Sequence, residues 1–387
     1  MIKLLKNADV YTPEKLGKMD ILTAGGKIIS LEPDLRCYEG LPGVETNDLK
    51  GMITVPGLVD PHVHITGGGG EQGFVSRVPE LTLTDFTLNG VTTVLGLFGT
   101  DGTTRSQASL LAKAKALNAE GITAFTVTGS YQYPSRTLTG SIVDDIMLLD
   151  PVIGVKTAMS DHRSSSMTAA ELARLGSEAR LGGLLSGKPG IVILHIGSKK
   201  SMLSLLFEVL ENYDVPPGTI LPTHCCRSPE LAAQAGKYIE MGGMADFTAS
   251  IGSNSDCANA VAGLIKKGIP AESILISSDA GGSLPNFDGS GKCISMGVGS
   301  SASLLAELRR LVFDHKIDLP TALLPFTKNP AKFLGVEGVK GCLAPGGDAD
   351  ILCFGEKFEI KSLYAKGRLM VEGGRPVVFG MFEKQIQ

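Results

Sequence analysis

Val59-Asp60-Pro61-His62-Val63-His64 is the stretch whose reading decides the fold. A short apolar run closes on two histidines one residue apart. On an extended strand that spacing turns both imidazoles to one face, within reach of a single metal ion. Gly67 to Gly70 and then Glu71 follow at once, so the strand opens into a loop just past the histidines. A doubly wound open sheet would carry a glycine-rich dinucleotide loop straight after its first strand. Here the first strand ends in His-Val-His instead. Two histidines on a strand are equally compatible with a packed core pair, so the remaining histidines have to decide.

Downstream, apolar and β-branched runs recur at 58–64, 91–99, 124–131, 152–158, 191–197, 220–225, 245–251 and 274–279. Helix-like stretches separate most of them. In 201–212, Leu205, Leu206, Val209 and Leu210 form a one-sided stripe. Eight strands alternating with helices predict an α/β fold, a (β/α)8 TIM barrel over 56–339. The helix carrying Leu304, Leu305, Leu308, Leu311 and Val312 would close the ring. Shorter strands are predicted at 3–11, 19–23, 27–31 and 52–55, and again at 349–354, 360–365 and 375–379. Neither set is large enough to bury a core alone. The two chain ends, 1–55 and 340–387, are therefore expected to join as one small β-sandwich domain.

Of the 387 residues, 43% are hydrophobic and 20% charged, the balance of a soluble globular enzyme. The 49 glycines belong to no repetitive tract and point to tight turns and a loop-built site. A net charge of -4, with no block of Lys or Arg, argues against nucleic acid as the main partner. No run approaches the roughly 20 apolar residues of a membrane span. The seven cysteines lack C-x-x-C spacing, which fits reduced thiols better than a disulfide framework. Cys225-Cys226 stands beside His224, but no second pair completes a zinc-thiolate set. With no secretory leader in Met1-Ile-Lys-Leu-Leu-Lys, the expectation is a cytoplasmic protein.

Four of the six histidines fall at the predicted C-terminal ends of barrel strands. His62 and His64 end the first, His195 the fifth and His224 the sixth, while Asp279 ends the eighth. In a barrel these ends converge on one mouth, where such enzymes keep their chemistry. His162 and His315 lie outside the pattern and are expected to be structural or surface residues. Lys156 ends the fourth strand and would face the same mouth. Nearby cations lower a lysine's pKa, and a neutral amine can react with carbon dioxide to give a carbamate, an anionic ligand able to bridge two metals.

This set of residues, H-x-H on strand one, lysine on strand four, single histidines on strands five and six and aspartate on strand eight, resembles the amidohydrolase superfamily of metal-dependent hydrolases. The segment Gly341-Cys342-Leu343-Ala344-Pro345-Gly346-Gly347-Asp348-Ala349-Asp350 is similar to that family's return to its small β domain. A narrower likeness rests on His64-Ile-Thr-Gly-Gly-Gly-Gly-Glu71, Gly129-Ser-Tyr131, Lys156 with Ser160-Asp-His-Arg163, Thr223-His224 with Arg227, and Ser278-Asp279-Ala-Gly-Gly-Ser283. These resemble the branch that cleaves isoaspartyl dipeptides, and the likeness runs over essentially the whole chain.

The resemblance implies a binuclear zinc site. His62, His64 and Asp279 would hold one ion and His195 and His224 the other, with carboxylated Lys156 (N6-carboxylysine) and a hydroxide bridging them. It implies Asp279 as the proton carrier and Tyr131 as hydrogen-bond donor to the oxyanion. A β-aspartyl dipeptide carries one ammonium and two carboxylates, and Glu71, Arg163 and Arg227 supply the opposite charges. By the same resemblance Glu71 meets the ammonium, the arginines meet the carboxylates, and Gly69, Thr100 and Ser283 add hydrogen bonds. The implied assembly is a homo-octamer. Two rivals remain: a hydrolase of cyclic amides or N-acyl amino acids (dihydroorotase or N-acyl-D-amino acid deacylase type), and a metal-free scaffold, which the complete ligand set opposes.

Overall fold

The computed structural model describes residues 2–249, 256–287 and 293–383. Its central strands bury every residue: Leu58–Val63, Val91–Gly96, Val152–Met159 and Ile191–Ile196 expose nothing on either face. Strands covered on both sides have no reason to alternate polar with apolar residues, hence the mainly apolar and β-branched runs of the sequence. With Thr123–Gly129 and Ile220–Thr223 they pair in chain order as a six-stranded sheet, every pairing parallel. Ala245–Thr248 and Ile274–Ser277 form a separate parallel pair. Positions 250 and 251 of the predicted seventh strand lie outside the described residues.

The predicted ring of eight is thus two ladders rather than one. Single backbone bonds hold the seams. Cys225 N donates to Asp246 O at 3.0 Å on one side; on the other, Asp279 N donates to His62 O at 3.1 Å and His64 N to Ala280 O at 2.8 Å. The strands beside these seams end just before His224 and Asp279, whose φ values of 71° and 52° are left-handed. Side-chain-bearing residues adopt that region sparingly, and functional sites are where it clusters. Inside, Val59, Leu95, Val127, Ile193, Leu221 and Leu275 share one buried cluster. They come from six different strands, including ones that are not neighbours in either ladder, so the strands surround a common interior.

Helices separate the strands as the periodicity predicts. In Ser204–Asn212, Leu206 and Val209 are fully buried, with Leu205 and Leu210 packed beside them. Ser106, Ser141, Thr168 and Ser228 cap four helices by accepting a backbone N–H. The helix expected to close the ring is Ala302–Arg309, and Leu311 and Val312 fall on the wider turn Arg310–Asp314 that continues it. A hairpin of Ser283–Phe287 and Cys293–Val298 precedes it. It was not predicted, because the Pro, Gly, Asp and Ser around 285–291 read as loop.

Both chain ends form one nine-stranded sheet. Ile53–Pro56 pairs with Ile2–Tyr11 on one side and, antiparallel, with Ile351–Phe354 on the other. Two of its strands escaped the sequence reading. Val44–Asp48, Val-Glu-Thr-Asn-Asp, has no fully buried residue and joins Ile2–Tyr11; Arg368–Glu372 lies between Ile360–Ala365 and the edge strand Arg375–Pro376. Among the described residues no helix is long and apolar enough to cross a membrane.

Candidate active site

The four histidines of the sequence reading do converge. Ring centroids step from His64 to His62 at 5.6 Å, to His224 at 5.0 Å and to His195 at 4.5 Å. Asp279 Oδ1 lies 3.0 Å from His64 Nε2 and 3.7 Å from His62 Nε2, and the three residues form a cluster of one ion's dimensions. Lys156 Nζ is 3.1 Å from His62 Nε2. Burial, reinforced by neighbouring cations such as Arg227 and Lys156, pushes His62, His195 and His224 well below the usual imidazole range. The rings are therefore neutral and carry lone pairs. Burial also drives the Lys156 ammonium down to about 7, against the attraction of Asp279 and Asp246. Buried Asp279 Oδ1 receives no hydrogen bond. Imidazole nitrogens gathered on a carboxylate oxygen that receives no hydrogen bond are a donor set that fits zinc.

The His195 ring is held at both nitrogens. Asp161 Oδ2 sits 3.0 Å from His195 Nε2, and Tyr131 Oη sits 2.6 Å from its Nδ1. A carboxylate only accepts, so Nε2 carries the proton and Tyr131 donates to Nδ1. Asp161 also takes two hydrogen bonds from the Arg163 side chain, at 2.9 and 2.7 Å. Against the upward push of burial, Arg163 and His195 hold Asp161 well below the usual carboxylate range. Burial also keeps the Tyr131 phenol well above its ordinary range, so it stays a donor.

Glu71, Tyr131, Arg163, Arg227, Asp279 and Ser283 line one pocket together with His64, Gly69 and His195. His62, Lys156 and His224 lie off that lining, each at most 1% exposed. Glu71 accepts from Thr100 Oγ1 at 3.2 Å, from Ser283 Oγ at 3.1 Å and from Arg163 at 3.2 Å. The sequence reading gave Glu71 and Arg163 separate partners, whereas here they pair with each other. Arg227 forms no ion pair with the described residues, and its Nε is buried without a partner, a cation open to an anionic ligand.

A model of the amidohydrolase family matches residues 53–370. The chain belongs to that family. Among solved structures, this amidohydrolase resembles β-aspartyl dipeptidase from Fervidobacterium islandicum AW-1 in complex with β-Asp-Leu dipeptide. The two share 41% identity at a TM-score of 0.92, over 97% of each chain. A second structure of the β-aspartyl dipeptidase from that organism gives 40% identity and 0.89, over 97% of this chain and 98% of the other. Curated relatives match over short stretches only. One is a dihydroorotase from Lactobacillus johnsonii, 42% identical over 69 residues, 18% of this chain and 15% of that protein. The chain spans 12% of the length of dihydropyrimidinase 2 from Caenorhabditis briggsae.

Several residues that shape the site of this amidohydrolase carried no role in the sequence reading. Asp161 stood inside the quoted Ser160-Asp-His-Arg163 element. Asp60, inside the opening stretch, accepts from Ser278 N at 3.1 Å and from the Ser278 hydroxyl in a short bond, fixing the residue before Asp279. Burial raises Asp60 to about 7. The Arg105 guanidinium, 8% exposed, donates to the carbonyls of Thr66, Gly68 and Val78, pinning the glycine loop that carries Glu71. That loop needs its glycines: at Gly69, with φ of 80°, a Cβ would stand 2.2 Å from Ser76 O. A lone acid in an apolar strand was the available signal for Asp246. His162 is exposed and His315 half-buried, and neither lines the pocket.

Proposed function

We propose that this amidohydrolase is a zinc-dependent dipeptidase that hydrolyses the β-aspartyl (isoaspartyl) peptide bond and releases aspartate. The observation that carries the reading is one pocket joining the histidine nest to Glu71, Arg163 and Arg227. The likeness to a protein solved with β-Asp-Leu supports the same substrate class. His62, His64 and Asp279 would hold one zinc ion, His195 Nδ1 and His224 the other, and Lys156, carboxylated on Nζ, would serve both. When bound, such a pair supplies Lewis acidity that lowers the pKa of water toward neutrality and polarises a carbonyl.

The protein's own groups do the rest. Asp279 takes the proton of the attacking water and returns it to the amide nitrogen, which must be protonated before it leaves. Tyr131 donates a hydrogen bond to the developing oxyanion and keeps its proton, its phenol turning from His195 Nδ1 when that nitrogen would serve as a ligand. Glu71 binds the substrate ammonium, and Arg163 and Arg227 bind its carboxylates in the forked geometry a guanidinium favours. Substrate thereby competes for Arg163, exchanging its pairing with Glu71 for charges of its own. Gly69, Thr100 and Ser283 complete the fit.

The reading includes a closed (β/α)8 barrel over 56–339, a small β-sandwich domain from 1–55 and 340–387, a homo-octamer, and work in the cytoplasm on small dipeptides rather than on nucleic acid or membranes. The test is turnover by enzyme loaded with zinc and bicarbonate. β-Asp-Leu is expected to be cleaved, with dihydroorotate and N-acyl-D-amino acids left intact. Hydrolysis of either of those without β-Asp-Leu turnover would move the protein to another amidohydrolase activity.

A further inference from the structure

We propose that Asp246 is a positioning residue that sets the tautomer of two metal-facing histidines at once, His62 through Thr223 and His224 through Thr248. The inference rests on the two-metal reading above. Asp246 lies on the seventh core strand, Ala245–Thr248, with no exposed surface. Its Oδ2 receives the Thr223 hydroxyl in a short bond and the Ser277 hydroxyl at 2.8 Å, and lies 3.4 Å from the Thr248 hydroxyl. Beyond them, Thr223 Oγ1 is 3.2 Å from His62 Nδ1, and Thr248 Oγ1 is 2.8 Å from His224 Nδ1.

The order of protons follows from what each group can do. A carboxylate offers acceptors only, so a hydroxyl bonded to it spends its single proton there. That hydroxyl then faces the imidazole with lone pairs, and the ring must donate from Nδ1. Nε2 is left bare. For His62 this is the atom 3.1 Å from Lys156 Nζ and 3.7 Å from Asp279 Oδ1. Thr248 has a second acceptor, Ser277 Oγ at 3.4 Å, but Ser277 gives its own proton to Asp246. Both routes end on the same carboxylate. Without it, either hydroxyl is free to donate to Nδ1, which fixes the opposite tautomer and sets an N–H against the cation.

His62 and His224 belong to different ions in the two-metal reading, so one buried acid conditions both halves of the centre. Partners of this kind typically change metal affinity 10- to 100-fold.

The test measures zinc binding to the stripped, full-length protein by chelator competition with bicarbonate present, with circular dichroism and the unfolding midpoint reporting the fold. Thr223→Val and Thr248→Val keep the side-chain shape and remove only the hydroxyl. Each is expected to weaken one of two zinc equivalents about 10- to 100-fold and to leave the other unchanged. Asp246→Val is expected to weaken both, and adding Thr223→Val to it to cause no further loss at the His62 ion. If Asp246→Val does not fold, the two threonine variants decide. Zinc affinities within about twofold of the parent in both of them, or additive losses in the double variant, would overturn the relay. A parent protein that binds fewer than two zinc ions overturns the relay and the two-metal reading together. Two bound zinc ions without β-Asp-Leu turnover would sink the dipeptidase assignment alone.

Discussion

Replacing Lys156 with methionine is expected to abolish turnover and, at the same time, to stabilise the metal-free fold. Lys156 has no exposed surface, and burial drives its ammonium from an ordinary 10.5 to about 7. The sign follows from proton counting. Between pH 7 and 10.5 the unfolded chain holds a proton that the folded chain has lost. The penalty of folding around this lysine is therefore complete below pH 7, shrinks as pH rises, and is gone above 10.5. The gap between those two values corresponds to on the order of 5 kcal/mol at pH 6 and about 2 kcal/mol at pH 9. Methionine fills the space with a flexible apolar chain that does not titrate. The assay is the unfolding midpoint of chelator-stripped parent and Lys156→Met proteins in carbon-dioxide-free buffer at pH 6, 7.5 and 9. A variant no more stable than the parent at pH 6, or a gain that grows with pH, would refute the reasoning.

Three further outcomes are expected. Glu71→Gln should raise KM for β-Asp-Leu about tenfold or more with a smaller change in kcat, because its carboxylate organises Thr100, Ser283 and Arg163; unchanged kinetics would remove it from the substrate site. Asp161→Asn removes the charge and one of the two acceptor oxygens that His195 and Arg163 share, so zinc affinity should fall about 10- to 100-fold and KM should rise; metal analysis together with steady-state kinetics decides. Arg105→Met frees the carbonyls of Thr66, Gly68 and Val78. Its KM should rise about tenfold while zinc content stays at the parental level, and a loss of zinc instead would mean the loop serves the metal nest.

Most of the central fold was legible because burial on both faces keeps a strand mainly apolar, which leaves the exceptions conspicuous, Lys156 in Val152–Met159 and His195 in Ile191–Ile196. The edge strand Val44–Asp48 was not. Val44–Asp48 is held by its backbone to Ile2–Tyr11, and its side chains carry no pattern. The same division runs through the candidate site. His62, His64, His195, His224, Lys156 and Asp279 could be picked out because histidine, lysine and aspartate are conspicuous at the ends of apolar runs. The roles of Asp246, Thr223, Thr248 and Arg105 could not, since their partners come from other strands and loops.

By itself, then, the order of residues determined which side chains stand at the strand ends and which charged residues lie just beyond them, because periodicity and residue type are local properties. Only the tertiary structure decided that Glu71 and Arg163 pair with each other, that Asp161 serves His195 and Arg163 together, and that one acid on the seventh strand reaches the first and the sixth. All of those contacts but Asp161 with Arg163 depend on hydrogen-bond distances between residues far apart in the chain. Such distances exist only once the strands have gathered around a common interior.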